Sequence, residues 1–268
     1  MSQAARHTAL LVDFGGVMTT SVWDSFADFC RARGLEEDAV KRLFRENSEA
    51  VACLRSLEIG ALQEDEFERR FAKLLGLDEA TDLIDSMFRG MIPCEPMAAA
   101  VSTAREHGVK TGLVSNSWST SHYDRGLLEE LFDTAVISAE VGMHKPQPEI
   151  YLLAAEQLDE PPARCAFVDD LRENCAGAEA VGMTAILHRD PSTTLERIEE
   201  MFRIRLAGRR HHARDAGGCA HAWIAPDRSP STTPAATGAG TPSATTVTDP
   251  SASATPSIRS GVSATRRR

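Results

Sequence analysis

A chain of 268 residues, 42% apolar and 25% charged, has room for one ordinary core plus an insertion or a tail, and most of it is globular in composition. The formal net charge is −10, and because eight Arg face three Asp beyond residue 205, the first 205 residues carry −15; a body so acidic argues against a nucleic-acid partner. No stretch approaches the ~18 apolar residues of a membrane span, so no membrane partner and a cytoplasmic location are expected.

The first predicted element is a buried strand at Ala9–Val12, delivering Asp13 onto a turn softened by Gly15 and Gly16. A long, mostly helical excursion follows. In "WDSFADFCRARG", Trp23, Phe26, Phe29 and Cys30 fall along one helical face, and "EDAVKRLFREN", "EDEFERRFAKLLG" and "ATDLIDSMFRG" repeat the period. These patterns predict a four-helix cap over residues 19–95, with Phe26, Phe67 and Phe71 assigned to packing. Strands are then predicted at Thr111–Val114, Ala135–Ser138, Cys165–Val168 and Thr184–Leu187. Helical patterns separate them: "PMAAAVSTAREHG", closed by Gly108, precedes the second strand, followed by "HYDRGLLEELF", "PEIYLLAAEQL" and "RENCAGAEAVG", closed by Gly182. The last helix, "TTLERIEEMF", opens with a candidate capping box from Thr193 to Glu196. Strands buried on both faces and alternating with helices predict an α/β core with a parallel sheet. From residue 206 to 268 the chain turns to Ala, Ser, Thr, Pro and Gly, the composition of a disordered low-complexity tail. Six cysteines (Cys30, Cys53, Cys94, Cys165, Cys175, Cys219) form no CxxC pair and read as reduced structural thiols.

Ligands of an open parallel sheet collect beyond the carboxyl ends of its strands. Asp13 ends the first predicted strand, Ser115, Asn116 and Ser117 the second, Asp169 and Asp170 the fourth, and Lys145 follows the third in "GMHKPQPEIY". Singly, each has an ordinary explanation as a turn cap, a helix cap or a surface charge. Together, at equivalent strand ends, they form a candidate site. Converging carboxylates repel one another and need a cation; Lys145 supplies one, and Mg²⁺ on Asp13 and Asp170 a second. Asp13 can then attack phosphorus while Lys145, the Ser115 hydroxyl and backbone N–H groups neutralise the phosphoryl oxygens.

The segments "LLVDFGGVMTT", "GLVSNS", "EVGMHKPQPEIY" and "CAFVDDLRENCAGAEAVGM" resemble the four ordered motifs of the haloacid dehalogenase-like (HAD) hydrolase superfamily. The subgroup is the one with a helical cap inserted after the first strand, in the phosphatase-like branch that includes the N-terminal domain of epoxide hydrolases. The resemblance implies a Rossmann-like core at 1–18 and 96–205, with Asp13 as nucleophile, Ser115 as phosphate-binding hydroxyl and Lys145 as charge stabiliser. It also implies Asn116 on the phosphoryl pocket, Asn174 ordering the loop beneath it, and Mg²⁺ on Asp13, Asp170 and the Gly15 backbone carbonyl with Asp169 in support. One position departs from the pattern: Gly15 stands where such phosphatases usually carry a second Asp as general acid and base. The expected activity is Mg²⁺-dependent hydrolysis of a small phosphate ester, with sugar and cyclitol phosphates as candidates, by a monomer or homodimer. A 2-haloacid dehalogenase using Asp13 on carbon and a non-catalytic phosphate-binding module are the alternatives.

Overall fold

The computed structural model describes residues 7–120 and 123–206. The expected tail, and with it Cys219, lies outside the described residues except for Leu206, which is 7% exposed and packed in the core. Among the described residues no helix is long and apolar enough to cross a membrane.

Five strands, β1 (Ala9–Val12), β2 (Lys110–Ser115), β3 (Thr134–Ile137), β4 (Cys165–Asp169) and β5 (Thr184–Leu187), form one sheet in the order β3-β2-β1-β4-β5. All neighbours are parallel. β1 is fully buried and alternates strictly: Leu10 and Val12 enter one apolar cluster, Ala9 and Leu11 the other. That is the period-two signature of a strand covered on both faces. Around the sheet lie α6 (Glu95–Glu106), α7 (Arg125–Leu131), α8 (Ser138–Val141), α9 (Pro148–Gln157), α10 (Arg172–Ala180) and α11 (Pro191–Phe202). The chain runs from β1 outward through β2 to β3, then returns to β4 on β1's other flank. A crevice therefore opens at the end of β1, where the order reverses.

Between β1 and α6 stand five α-helices, not the four expected for the insertion: α1 (Val22–Ala32), α2 (Ala39–Glu46), α3 (Ser48–Glu58), α4 (Glu64–Leu75) and α5 (Leu83–Phe88). The unforeseen one is α3, which buries only Ala50, Cys53 and Leu57 and so lacks an aromatic stripe. Asn47 begins it by accepting from the backbone N–H groups of Glu49 (2.9 Å) and Ala50 (3.1 Å). The insertion has its own apolar cluster, including Phe26, Phe67 and Phe71. Its two crossings lie side by side: Thr20 N donates to Ile92 O (2.7 Å) and Cys94 N to Met18 O (2.8 Å).

Two smaller expectations give way. β3 stops at Ile137, and Ser138 starts α8. The capping box at Thr193 is not formed, because α11 begins earlier at Pro191 and its cap is Asp190, which accepts from Thr193 N at 2.9 Å. Pro at the first helical position extends the helix beyond what apolar periodicity shows.

Candidate active site

The register sets Val12, the last residue of β1, opposite both Leu113 and Val168, so that β4 runs one residue and β2 two residues further. Asp13 N continues the ladder by donating to Val168 O at 2.9 Å, which fixes Asp13 beside the start of the Asp169–Asp170 pair. Lys145 Nζ lies 2.6 Å from Asp13 Oδ1 and 2.8 Å from Asp169 Oδ2. All three are nearly inaccessible, at 8% (Asp13), 3% (Lys145) and 0% (Asp169) exposure. Asp13 Oδ1 also accepts from Phe14 N at 2.7 Å.

Burial works against the Lys145 ammonium, but Asp13 and Asp169 outweigh it and hold the amine above its ordinary range. On the other side, burial raises the Asp13 carboxyl to about 8 although Lys145 pulls it down, and Asp169 and Asp170 push it further up. Half-buried Asp170 is raised to about 6 by burial, then by Asp169, against the pull of Lys145. Asp13 and Asp169 thus share the Lys145 ammonium, with the Asp170 carboxylate beside them and drawn also by Arg189; a further cation would relieve this crowding of acids.

The residues fit such an ion. One oxygen from each of Asp13, Asp169 and Asp170 can be chosen so that all lie within 4.8 Å of one another. This all-oxygen donor set suits a hard dication such as Mg²⁺ rather than a softer metal. Gly16, at φ +80°, completes the cradle: a Cβ there would stand 2.6 Å from Asp170 Oδ2.

The surrounding side chains hold these groups in place. Asn174 Nδ2 donates to both Asp169 oxygens (3.0 and 3.1 Å), and Leu171 N donates to Oδ1 (2.8 Å). Asn116 grips the Lys145 backbone twice, through Nδ2 to Lys145 O (3.0 Å) and Oδ1 from Lys145 N (2.8 Å). It lines the cavity, and the contact it makes fixes the lysine. Ser115 Oγ shares a 2.9 Å hydrogen bond with the Tyr123 hydroxyl; burial, first among its causes, raises the Tyr123 phenol.

Above the carboxylates is a cavity of about 410 Å³ shared by core and insertion. Its far wall is apolar, built from Val22, Trp23, Phe26, Phe44, Leu54 and Phe88. Trp118, from the loop after β2, joins them, with ring centroids 5.2 Å from Phe26, 5.3 Å from Phe88 and 5.4 Å from Phe67. Glu58, at the end of α3, also lines the cavity. Sequence periodicity singles out none of Tyr123, Trp118 or Glu58; the one available signal is that Trp118 directly follows the polar tip "SNS".

Three likenesses bear on this arrangement. A segment of 113 residues, 40% of this chain, is 32% identical to bifunctional epoxide hydrolase 2 of Rattus norvegicus and spans only 20% of that protein. A sesquiterpene phosphatase of Aspergillus oryzae is 29% identical over 205 residues, 72% of this chain and 95% of its own. In fold, a HAD family enzyme of Bacteroides thetaiotaomicron, solved with magnesium and inorganic phosphate, superposes with a TM-score of 0.54 at 20% identity, covering 68% of this chain and 94% of its own. The family model described as haloacid dehalogenase-like hydrolase matches residues 7–182, a span that runs from the strand bearing Asp13 past the Asp169–Asp170 pair; by that match the chain belongs to the haloacid dehalogenase-like hydrolases.

Proposed function

We propose that this hydrolase is a Mg²⁺-dependent phosphatase that cleaves a small phosphate monoester through an aspartyl phosphate on Asp13. The observation that carries the reading is the buried Asp13–Lys145–Asp169 cluster with Asp170 alongside. Asp13 Oδ1 is taken by Phe14 N and Lys145, which leaves Oδ2 to attack phosphorus. Lys145 and the Ser115 hydroxyl neutralise the phosphoryl oxygens as charge develops, and Asn116 keeps the lysine in register. Asp13, Asp170 and the Gly15 carbonyl, with Asp169 behind them, would hold Mg²⁺, which supplies additional positive charge to the phosphoryl group.

The apolar wall narrows the organic half of the substrate. A sugar or cyclitol needs a ring of hydrogen-bonding partners, whereas rings and aliphatic chains face most of this cavity. We therefore favour esters of apolar alcohols over the polyol phosphates expected from sequence. The similarity to a sesquiterpene phosphatase supports that direction.

Phosphate release from geranyl, phenethyl, glucose and inositol phosphates, with and without Mg²⁺, tests the reading. Turnover should require Mg²⁺, favour the first two esters, and fall at least about 10⁴-fold in Asp13→Asn. Halide release from 2-haloacids that persists in EDTA would instead establish the dehalogenase reading. Silence toward every ester, with a stable phosphate adduct on Asp13, would establish the binding module.

A further inference from the structure

We propose that Glu58, carried by the helical insertion, is the general acid and base of this reaction, replacing the side chain that Gly15 lacks. The inference rests on the phosphatase reading above and deepens it.

Position 15 has no acid, and its geometry resists one: a Cβ there would meet Val22 Cγ2 at 2.7 Å. A proton donor to the leaving oxygen must therefore come from elsewhere on the cavity wall. Among the titratable groups that line it, Arg55 stays charged, Tyr123 is committed to Ser115, and Asp170 belongs to the cation cradle. His144 has Nδ1 tied to Lys145 O at 2.8 Å but keeps Nε2, so it is the competitor that the variants below separate from Glu58, and Glu173 is exposed to solvent. Half-buried Glu58 lines the same cavity as Asp13 and Lys145, and among the described residues its carboxyl has no hydrogen-bond partner.

The end of α3 is positioned rather than loose. Gly60, at φ +71°, packs so closely on α8 that a Cβ would stand 2.8 Å from Ala139 O. α8 lies a few residues before Lys145, so this contact ties Glu58 to the segment that bears the ammonium. Burial pushes the Glu58 carboxyl up to about 7, against the pull of Lys145 and then Arg55, with Glu173 adding to the rise. Near neutral pH both of its forms are populated, as a group that gives and then takes a proton requires.

In the first step Asp13 Oδ2 forms a bond to phosphorus, the bond from phosphorus to the ester oxygen breaks, and that oxygen leaves with the Glu58 proton as the alcohol. In the second step water attacks phosphorus and gives a proton to the Glu58 carboxylate. The bond between Asp13 and phosphorus breaks, and phosphate departs with Asp13 ionised and Glu58 protonated again.

Two esters separate this role from a structural one. p-Nitrophenolate leaves without a proton, whereas the alkoxide of phenethyl phosphate does not. In Glu58→Gln, kcat/KM for phenethyl phosphate should fall about 10²- to 10⁴-fold, while kcat/KM for p-nitrophenyl phosphate stays within about threefold of wild type. Turnover of the latter should show a burst of one equivalent, because water attack lacks its base. The descending limb of kcat/KM for phenethyl phosphate, set in the native enzyme by loss of the Glu58 proton near pH 7, should disappear. In Glu58→Ala, added formate should restore part of the phenethyl phosphate rate. Equal losses on both esters, no loss on either, or this whole pattern in His144→Gln rather than Glu58→Gln would overturn the assignment. If native enzyme and Asp13→Asn release phosphate alike, the phosphatase reading itself is what fails.

Discussion

Gly16 and Asp170 show how closely single residues constrain the site. The turn after Asp13 needs a left-handed backbone at Gly16, and the missing side chain is what lets the Asp170 carboxylate come near. Burial and crowding raise Asp13 to about 8 and Asp170 to about 6, both from an ordinary value of 3.8. An acid whose value rises on folding stabilises the fold while protonated, so this contribution is complete below about pH 4 and is lost as pH climbs through about 6 and 8. A dication competes with those protons. The rise in melting temperature on adding Mg²⁺ should therefore be larger at pH 8 than at pH 5.5; equal gains at both would contradict the cradle. Asp13, Ser115, Lys145 and the Asp169–Asp170 pair were legible in sequence because each ends or follows a short apolar run. Glu58 and Tyr123 were not, since a carboxyl at a helix end and a phenol in a loop carry no periodic mark.

At the scale of elements, the strands were readable to within a residue at each end, because runs such as ALLV and TAIL are bounded by polar residues and helices. α3 was not, since three small or aliphatic buried positions give a weak period. Nor does periodicity reveal that the loop after β2 inserts Trp118 among rings of α1, α2, α4 and α5. Trp118→Ala should cost about 3 kcal/mol of stability, the lower end for an aromatic because the indole is only partly covered. It should also raise KM for apolar esters more than for p-nitrophenyl phosphate. Urea melts and initial rates measure the two effects, and an unchanged KM ratio would remove Trp118 from the substrate wall.

For the whole molecule, Leu206 is the last described residue; its backbone N–H donates to Glu199 Oε1 at 2.9 Å and its side chain is buried. A chain ending at Leu206 should keep its kcat/KM and melting temperature. Ending it at Ile204 should lower the melting temperature by removing that bond and the apolar contact. Loss of turnover in the longer version would mean that residues beyond 206 serve the reaction. Composition assigns Leu206 to the expected tail although its side chain is buried, because a single apolar side chain hardly alters a local average. The indole of Trp118, carried by the loop after β2, packs among rings of the insertion and so ties the two parts together. Baring it to water would cost roughly 25 cal/mol for each Å² exposed, so a substrate whose own greasy surface covers those rings is the kind this wall suits.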